Sequence, residues 1–195
     1  MNILKELSYC HSCPIRQEAR VPIGSSGPFA KGTPMVVGRS PTKLEDEVGE
    51  PFLGREGSFV NRFLFDVGLE KREVYFTNVI KCHTLNGRSP EDVEIMTCSQ
   101  KWLHDEGALI EPSIVFVLGP DAYFGMFGHR PEDWEKKEGT AQELGGVWFV
   151  FFPNVEDSLH NRENFEKWIE IKHQVKLIVR GLKEQGKINE TPIFD

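Results

Sequence analysis

Residues 34–57 read PMVVGRSPTKLEDEVGEPFLGREG, and this stretch decides the architecture. It begins as a short apolar strand, Pro34 to Gly38, turns at Gly38 and Pro41, and ends at Gly57, where a helical pattern begins. A glycine leaving a strand lets the backbone approach a ligand closely, and the proline stiffens the turn. Three further runs have strand character: Glu73 to Ile80, Ser113 to Gly119 and Val147 to Phe152. They are short and nearly continuous in Val, Ile and Phe, as in strands buried on both faces of a parallel sheet. Helical patterns fill the gaps. Phe59, Val60, Phe63, Leu64 and Val67 repeat at helical spacing. Ser89 is a plausible N-cap, with Pro90 in the first turn, for a helix carrying Ile95, Cys98, Trp102 and Leu103. A last helix is predicted from Asn161 to Leu182, with Phe165, Trp168, Ile169, Val175, Ile178, Val179 and Leu182 as its apolar stripe. Strands alternating with helices predict a three-layer α/β/α sandwich around a mostly parallel four-stranded sheet. Such sheets bind ligands outside the carboxyl ends of their strands. Function is therefore expected in the loops after Val37, Thr77, Leu118 and Phe152.

The 195 residues carry 23 Lys plus Arg against 30 Asp plus Glu, a formal charge of −7. That balance argues against a protein that coats phosphate by bulk charge. Fourteen Phe and four Trp supply enough apolar surface to offset chain entropy, so a folded core is expected and disorder is not. The length suits one domain spanning 1–195, in which residues 1–33 form an N-terminal cysteine knob. Val21 to Thr33, rich in Gly, Ser and Pro, reads as the connector from that knob to the first strand. No apolar run approaches the roughly 20 residues that span a bilayer, and MNILKELSYC lacks a long apolar segment. A cytoplasmic or nucleoid-associated protein without a membrane partner is expected.

Four cysteines in a reducing compartment do not suggest a disulfide framework. Cys10 and Cys13 form a C-x-x-C, and Cys82 and Cys98 lie well downstream beside turn-forming or helix-starting residues. Two chain-distant thiol pairs suit one metal centre better than chance burial. Spacing alone leaves open both tetrahedral zinc and a four-cysteine iron–sulfur cluster. His11 and His83 adjoin the candidate ligands, but histidines so placed are more often simply exposed.

Two loop residues carry recognition chemistry. Phe52 lies in a loop between Pro51 and Leu53, where a large aromatic needs something to stack on. Asn78, at a strand end, offers both a donor and an acceptor, the pair needed to read an amide-like edge. Taken together, Gly38 to Gly57, Val74 to Cys82 and Asn86-Gly87-Arg88-Ser89-Pro90 resemble the iron–sulfur type of uracil-DNA glycosylase, family 4. Cys10, Cys13, Cys82 and Cys98 fall where that family holds its four cluster ligands. Glu94-Ile95 and Pro112 to Gly119, with Ala122 following, match as well, so the resemblance runs from Cys10 to about Trp168.

The resemblance implies a uracil-DNA-glycosylase-like fold and a structural [4Fe-4S] cluster tying the knob to the sheet. It implies DNA as partner, single-stranded or as duplex with a flipped base, bound by a monomer. Phe52 would stack on the extruded base and Asn78 would hydrogen-bond its pyrimidine edge. Gly38, Phe152 and Asn154 complete the expected substrate contacts, and Arg39 and Asn78 are the candidate catalytic residues. Two departures bear on activity. The family's first motif reads Gly-Glu-Ala-Pro-Gly, and here Arg39 takes the glutamate's place and Thr42 the second glycine's. The family's later motif begins His-Pro, and here Phe152 precedes Pro153. Losing one such donor typically costs about 10²–10³ in rate. Glu45 and Asp46 are candidates for acid or base work, and His160 is a more remote one. Arg39, Lys43, Arg55, Lys81 and Arg88 are expected to form a small basic face around the pocket mouth. The leading expectation is an N-glycosidic hydrolase acting on uracil or a modified pyrimidine. The alternatives are a descendant that binds DNA or a modified base without excision, and a transferase acting on hypermodified pyrimidines.

Overall fold

Val36 and Val37 point to opposite faces of one short strand, and each face is covered by its own apolar cluster. This strand, β1 (Met35–Gly38), pairs in parallel with β2 (Tyr75–Asn78) on one side and β3 (Ile114–Leu118) on the other. Beyond β3 the sheet continues through β4 (Thr140–Leu144) and β5 (Val147–Phe152) in the order β2-β1-β3-β5-β4. β5 runs parallel to β3, and β4 is the one antiparallel member among the described residues. The computed structural model describes residues 3–188.

Helices join these strands and cover both faces. α1 (Ile3–Leu7) precedes the sheet, and α2 (Lys43–Val48) and α3 (Gly54–Asp66) connect β1 to β2. α4 (Asp92–Cys98) continues through a π turn, Ser99–Leu103, into α5 (His104–Ile110). α6 (Pro120–Phe127) and α7 (Trp134–Lys137) lead to β4, and α8 (Val155–His160) and α9 (Arg162–Glu184) follow β5. Met35, Val37, Val115 and Val117 pack with Ile95, Trp102 and Tyr123 on one face. Val36, Phe116 and Val150 pack with Phe63, Trp168 and Val175 on the other. This is the expected three-layer α/β/α arrangement.

The differences have physical causes. The sheet has five strands, not four, because β4 is a polar edge strand (TAQEL) with mostly exposed side chains and no apolar run to reveal it. Its turn into β5 is Gly145-Gly146, both at positive φ, the backbone that a two-residue hairpin requires. The second helix begins later than Ser89: Glu91 is its N-cap, and its N–H donates to the Glu94 carboxylate at 2.7 Å. On α9 the inward stripe is Trp168, Ile171, Val175, Val179 and Leu182, while Phe165 and Ile169 are exposed. Residues 21–33 do more than connect. Ser26 exchanges backbone hydrogen bonds with Phe76 in a single antiparallel bridge that covers part of the outer edge of β2, and Gly32 bridges Pro112 just before β3.

A buried polar cluster links β2 and the residue three beyond it to α5. Lys81 and Glu106 are both fully buried and paired at 2.7 Å, and the Thr77 hydroxyl donates to the same carboxylate at 2.8 Å. Removing one partner of a buried pair strands the other charge and costs about 3–5 kcal/mol, whereas apolar replacement of both is often nearly neutral. Lys81→Met is therefore expected to lower the urea midpoint sharply. Lys81→Met with Glu106→Leu should recover most of that loss, as measured by equilibrium unfolding.

Candidate functional site

β1, β2, β3 and β5 all end on the same side of the sheet, and the loops that follow them enclose a cleft of about 390 Å³. The parallel register sets Gly38 directly beside Asn78. A Cβ at Gly38 would fall 3.0 Å from Phe52 Cζ and closer still to Asn78 Oδ1, so only glycine lets these two groups meet over the end of β1. Asn78 is 6% exposed, and no described protein group hydrogen-bonds its side-chain amide. Its donor and acceptor are left for whatever enters the cleft.

Phe52 reaches the same place by a strained route. Its φ is +57°, a region that costs a non-glycine residue on the order of 1–3 kcal/mol. The turn is held because Glu45, from α2, accepts the Leu53 N–H at 2.9 Å and the Thr42 N–H at 2.7 Å. Gly57 packs so tightly beneath it that a side chain there would overlap the Phe52 carbonyl. Its ring lies tilted against Phe76, with centroids 5.3 Å apart, and the residue lines the cleft. Glu45 is thus the brace of the loop. Asp46 has a similar duty, accepting the Arg20 N–H at 3.1 Å.

Charge around the cleft is largely self-compensated. Arg39 lines it and stands 3.6 Å from Glu156, the first-turn acid of α8. Asn154 also lines it, donating to Asp157 at 3.1 Å while its side chain lies against the Cα of Gly119. Glu56, in the first turn of α3, is half-buried in the same cleft. Burial pushes its carboxyl above the ordinary 4.5, neighbouring Glu156 and Glu45 add to the rise, and Arg39 opposes it. His83 also faces the cleft, with Nδ1 bonded at 2.9 Å to the Pro41 carbonyl.

Several expected residues lie elsewhere. Phe152 is fully buried, stacked on Trp168 at a centroid distance of 4.0 Å and edge-on to Phe63, and it does not line the cleft. The strand alternation turns its side chain into the helix layer. Lys81 is in the core, and Arg88 is clamped between Glu18 and Glu94, so the basic face is smaller than the count of cations suggested. Lys43 lines the cleft, and Arg55 is exposed nearby on α3. His160 is exposed at the end of α8, outside the cleft. Glu56, Glu156 and His83 were not singled out as cleft residues. Glu56 carried one local signal, a charged side chain between the two glycines that hold the Phe52 turn. Glu156 carried none, because its partner is distant in the chain.

The four cysteines belong to one apolar cluster, with Cys82 and Cys98 buried in it and Cys10 and Cys13 packed against it. None is in a disulfide. Burial pushes Cys82 up to about 12, and charge on Cys98, Cys13 and Cys10 would push it further, so the thiols lie within electrostatic reach of one another. The Lys81 N–H already donates to Cys98 Sγ at 3.3 Å. Among the described residues no three His, Cys, Asp or Glu side chains are grouped to hold a metal ion. The donor set itself, four thiols, is of a kind that holds either tetrahedral zinc or an iron–sulfur cluster.

Residues 27–178 match the family described as the uracil DNA glycosylase superfamily, and the chain belongs to it. More particularly, it is similar to proteins named type-4 uracil-DNA glycosylase. With that of Thermotoga maritima it is 31% identical over 169 residues, 84% of this chain and 85% of its relative. With that of Pyrobaculum aerophilum it is 30% identical over 143 residues, 71% and 72% of the two chains. With that of Sulfurisphaera tokodaii it is 35% identical over 133 residues, 68% of this chain but only 60% of the relative. No helix among the described residues is long and apolar enough to cross a membrane.

The raised carboxyl of Glu56 has a consequence for stability. Because folding favours its protonated form, the folded state loses stability relative to a neutral side chain as pH rises above about 4.5. Glu56→Gln is expected to raise the melting temperature at pH 7, with the gain vanishing by about pH 4, as measured by thermal unfolding across that range.

Proposed function

We propose that the protein is a DNA glycosylase that takes a flipped-out uracil or modified pyrimidine into the cleft at the ends of β1 and β2. The observation that carries this reading is the free amide of Asn78 beside the ring of Phe52, brought together by the missing side chain of Gly38. A base stacked on Phe52 gains about 1–3 kcal/mol. The amide, with a donor and an acceptor, can pair with a pyrimidine edge and discriminate by a similar amount. Extrusion from the stack is required, because the atoms read are inaccessible in duplex. Gly38 and Asn154 line the remaining wall, and Arg39 sits at the mouth facing Glu156. The similar proteins named uracil-DNA glycosylase support the same substrate class.

In this reading the chain is one domain acting as a monomer on DNA, whether single-stranded or duplex with the base flipped. Cys10, Cys13, Cys82 and Cys98 would hold a [4Fe-4S] cluster fastening residues 1–33 to the sheet. When bound, such a cluster supplies cross-linking and not bond cleavage. The protein purified without oxygen is expected to contain roughly four iron and four sulfide per chain. Cys98→Ala should abolish the visible absorption and lower the melting temperature.

A second reading, binding without excision, is favoured by one observation: Phe152 is in the core, so position 152 offers no polar donor to a departing base. Base release decides between the two. Cluster-loaded protein incubated with uracil- and modified-pyrimidine oligonucleotides is expected to leave alkali-labile abasic sites. Asn78→Ala should reduce that yield or the affinity about ten- to a hundredfold, and Phe52→Ala by a similar factor. Salt-sensitive binding with no abasic product from any substrate would replace the first reading with the second.

A further inference from the structure

Four carboxylates line the cleft, and three already have partners. Glu45 accepts the backbone N–H groups of Thr42 and Leu53. Glu156 faces Arg39 and is otherwise largely exposed. Asp157 accepts from Asn154. Glu56 is half-buried and, among the described residues, makes no hydrogen bond or salt bridge. Its place is tightly fixed. Gly54, at φ +68°, opens α3, and Gly57 is pressed against the Phe52 carbonyl. Glu56 therefore lies between two glycines of the base-stacking turn, so its backbone is held in place beside Phe52 and its side chain lines the same cleft.

A partly dehydrated carboxylate without a partner costs stability, and such groups concentrate where chemistry uses them. Resting on the glycosylase reading above, we infer that Glu56 is the catalytic carboxylate of this cleft: it orients the attacking water and faces the positive charge that develops on the sugar. In the step it serves, the bond from the sugar C1′ to the base nitrogen breaks and its electron pair leaves with the base. The water oxygen bonds to C1′, and one water proton passes to the Glu56 carboxylate and on through solvent to the departing base. Arg39, where the family's first motif places a glutamate, would oppose a cation at C1′, but its charge is met by Glu156. The first turn of α3 supplies the carboxylate that position 39 lacks. Carboxylates desolvated in this way titrate closer to neutrality, as a general base requires.

Two DNA analogues test this without depending on turnover: oligonucleotides carrying a neutral tetrahydrofuran abasic site or its protonated pyrrolidine counterpart. The full-length protein is expected to bind the cationic analogue about tenfold or more tighter than the neutral one. Glu56→Gln should erase that preference, and Glu56→Asp should keep part of it. In single-turnover base release, Glu56→Gln should lower the rate about 10²–10³-fold with little change in affinity for the substrate DNA. It should also remove the acidic limb of the pH–rate profile. Equal binding of the two analogues by the unaltered protein, or full activity of Glu56→Gln, would overturn the role of Glu56 and leave the glycosylase reading standing. Binding of neither analogue, with no base release, would overturn both.

Discussion

The absence of a side chain at Gly38 is the constraint on which the cleft depends. β1 lies between β2 and β3, so whatever stands at its carboxyl end is flanked by residues from both neighbours. Register places Asn78 directly alongside, and the turn before α3 brings Phe52 in from above. A single methyl group at position 38 would separate the two. The strain at Phe52 follows from the same requirement: its backbone leaves the favoured regions so that the ring reaches the sheet edge. Glu45, Gly54 and Gly57 hold it there. A rigid floor of this kind is pre-organised, so little ordering would remain to oppose binding.

Electrostatics around that floor are those of an acidic protein that has arranged its few nearby cations with care. Arg39 and Arg88 each face carboxylates, and Lys81 is withdrawn into the core with Glu106. Lys43 and Arg55 are the nearby cations for which no ion pair is seen among the described residues. The formal charge of −7 gives no bulk attraction for phosphate, so any contact with a polyanion would fall on local cations such as Lys43 and Arg55. Glu56 belongs to the same pattern. It is the cleft carboxylate without a hydrogen bond or ion pair among the described residues, at a cost to stability that a neutral side chain would avoid.

The amino-terminal segment meets the apolar cluster on one face of the sheet at Cys10 and Cys13, the cluster that also holds Cys82 and Cys98. Cys98 ends α4 where the helix widens into its π turn, and Cys82 follows directly after buried Lys81. A π turn inside a helix commonly marks a place where geometry serves a site. Ser26, in the segment from Val21 to Thr33, bridges Phe76, so a residue outside the cleft covers part of the strand that carries Asn78.

Apolar runs and turn residues were enough to locate the strands β1, β2, β3 and β5, the layered arrangement, and the loops that line the cleft. Apolar runs and helical periodicity are local properties that survive in the linear order. Gly38, Phe52 and Asn78 were legible for the same reason, each having an unusual residue type for its place at a strand end or turn. β4 was not, because an exposed polar edge strand buries too little to leave a pattern. Only the tertiary structure decided the roles of the charged and aromatic residues. Phe152 went to the core by strand alternation, Lys81 to a buried pair with Glu106, and Arg39 to Glu156. Glu56 was left in the cleft without an ion pair among the described residues. A charged side chain's partner is set by what the fold brings within a few ångströms, and those neighbours here come from distant parts of the chain.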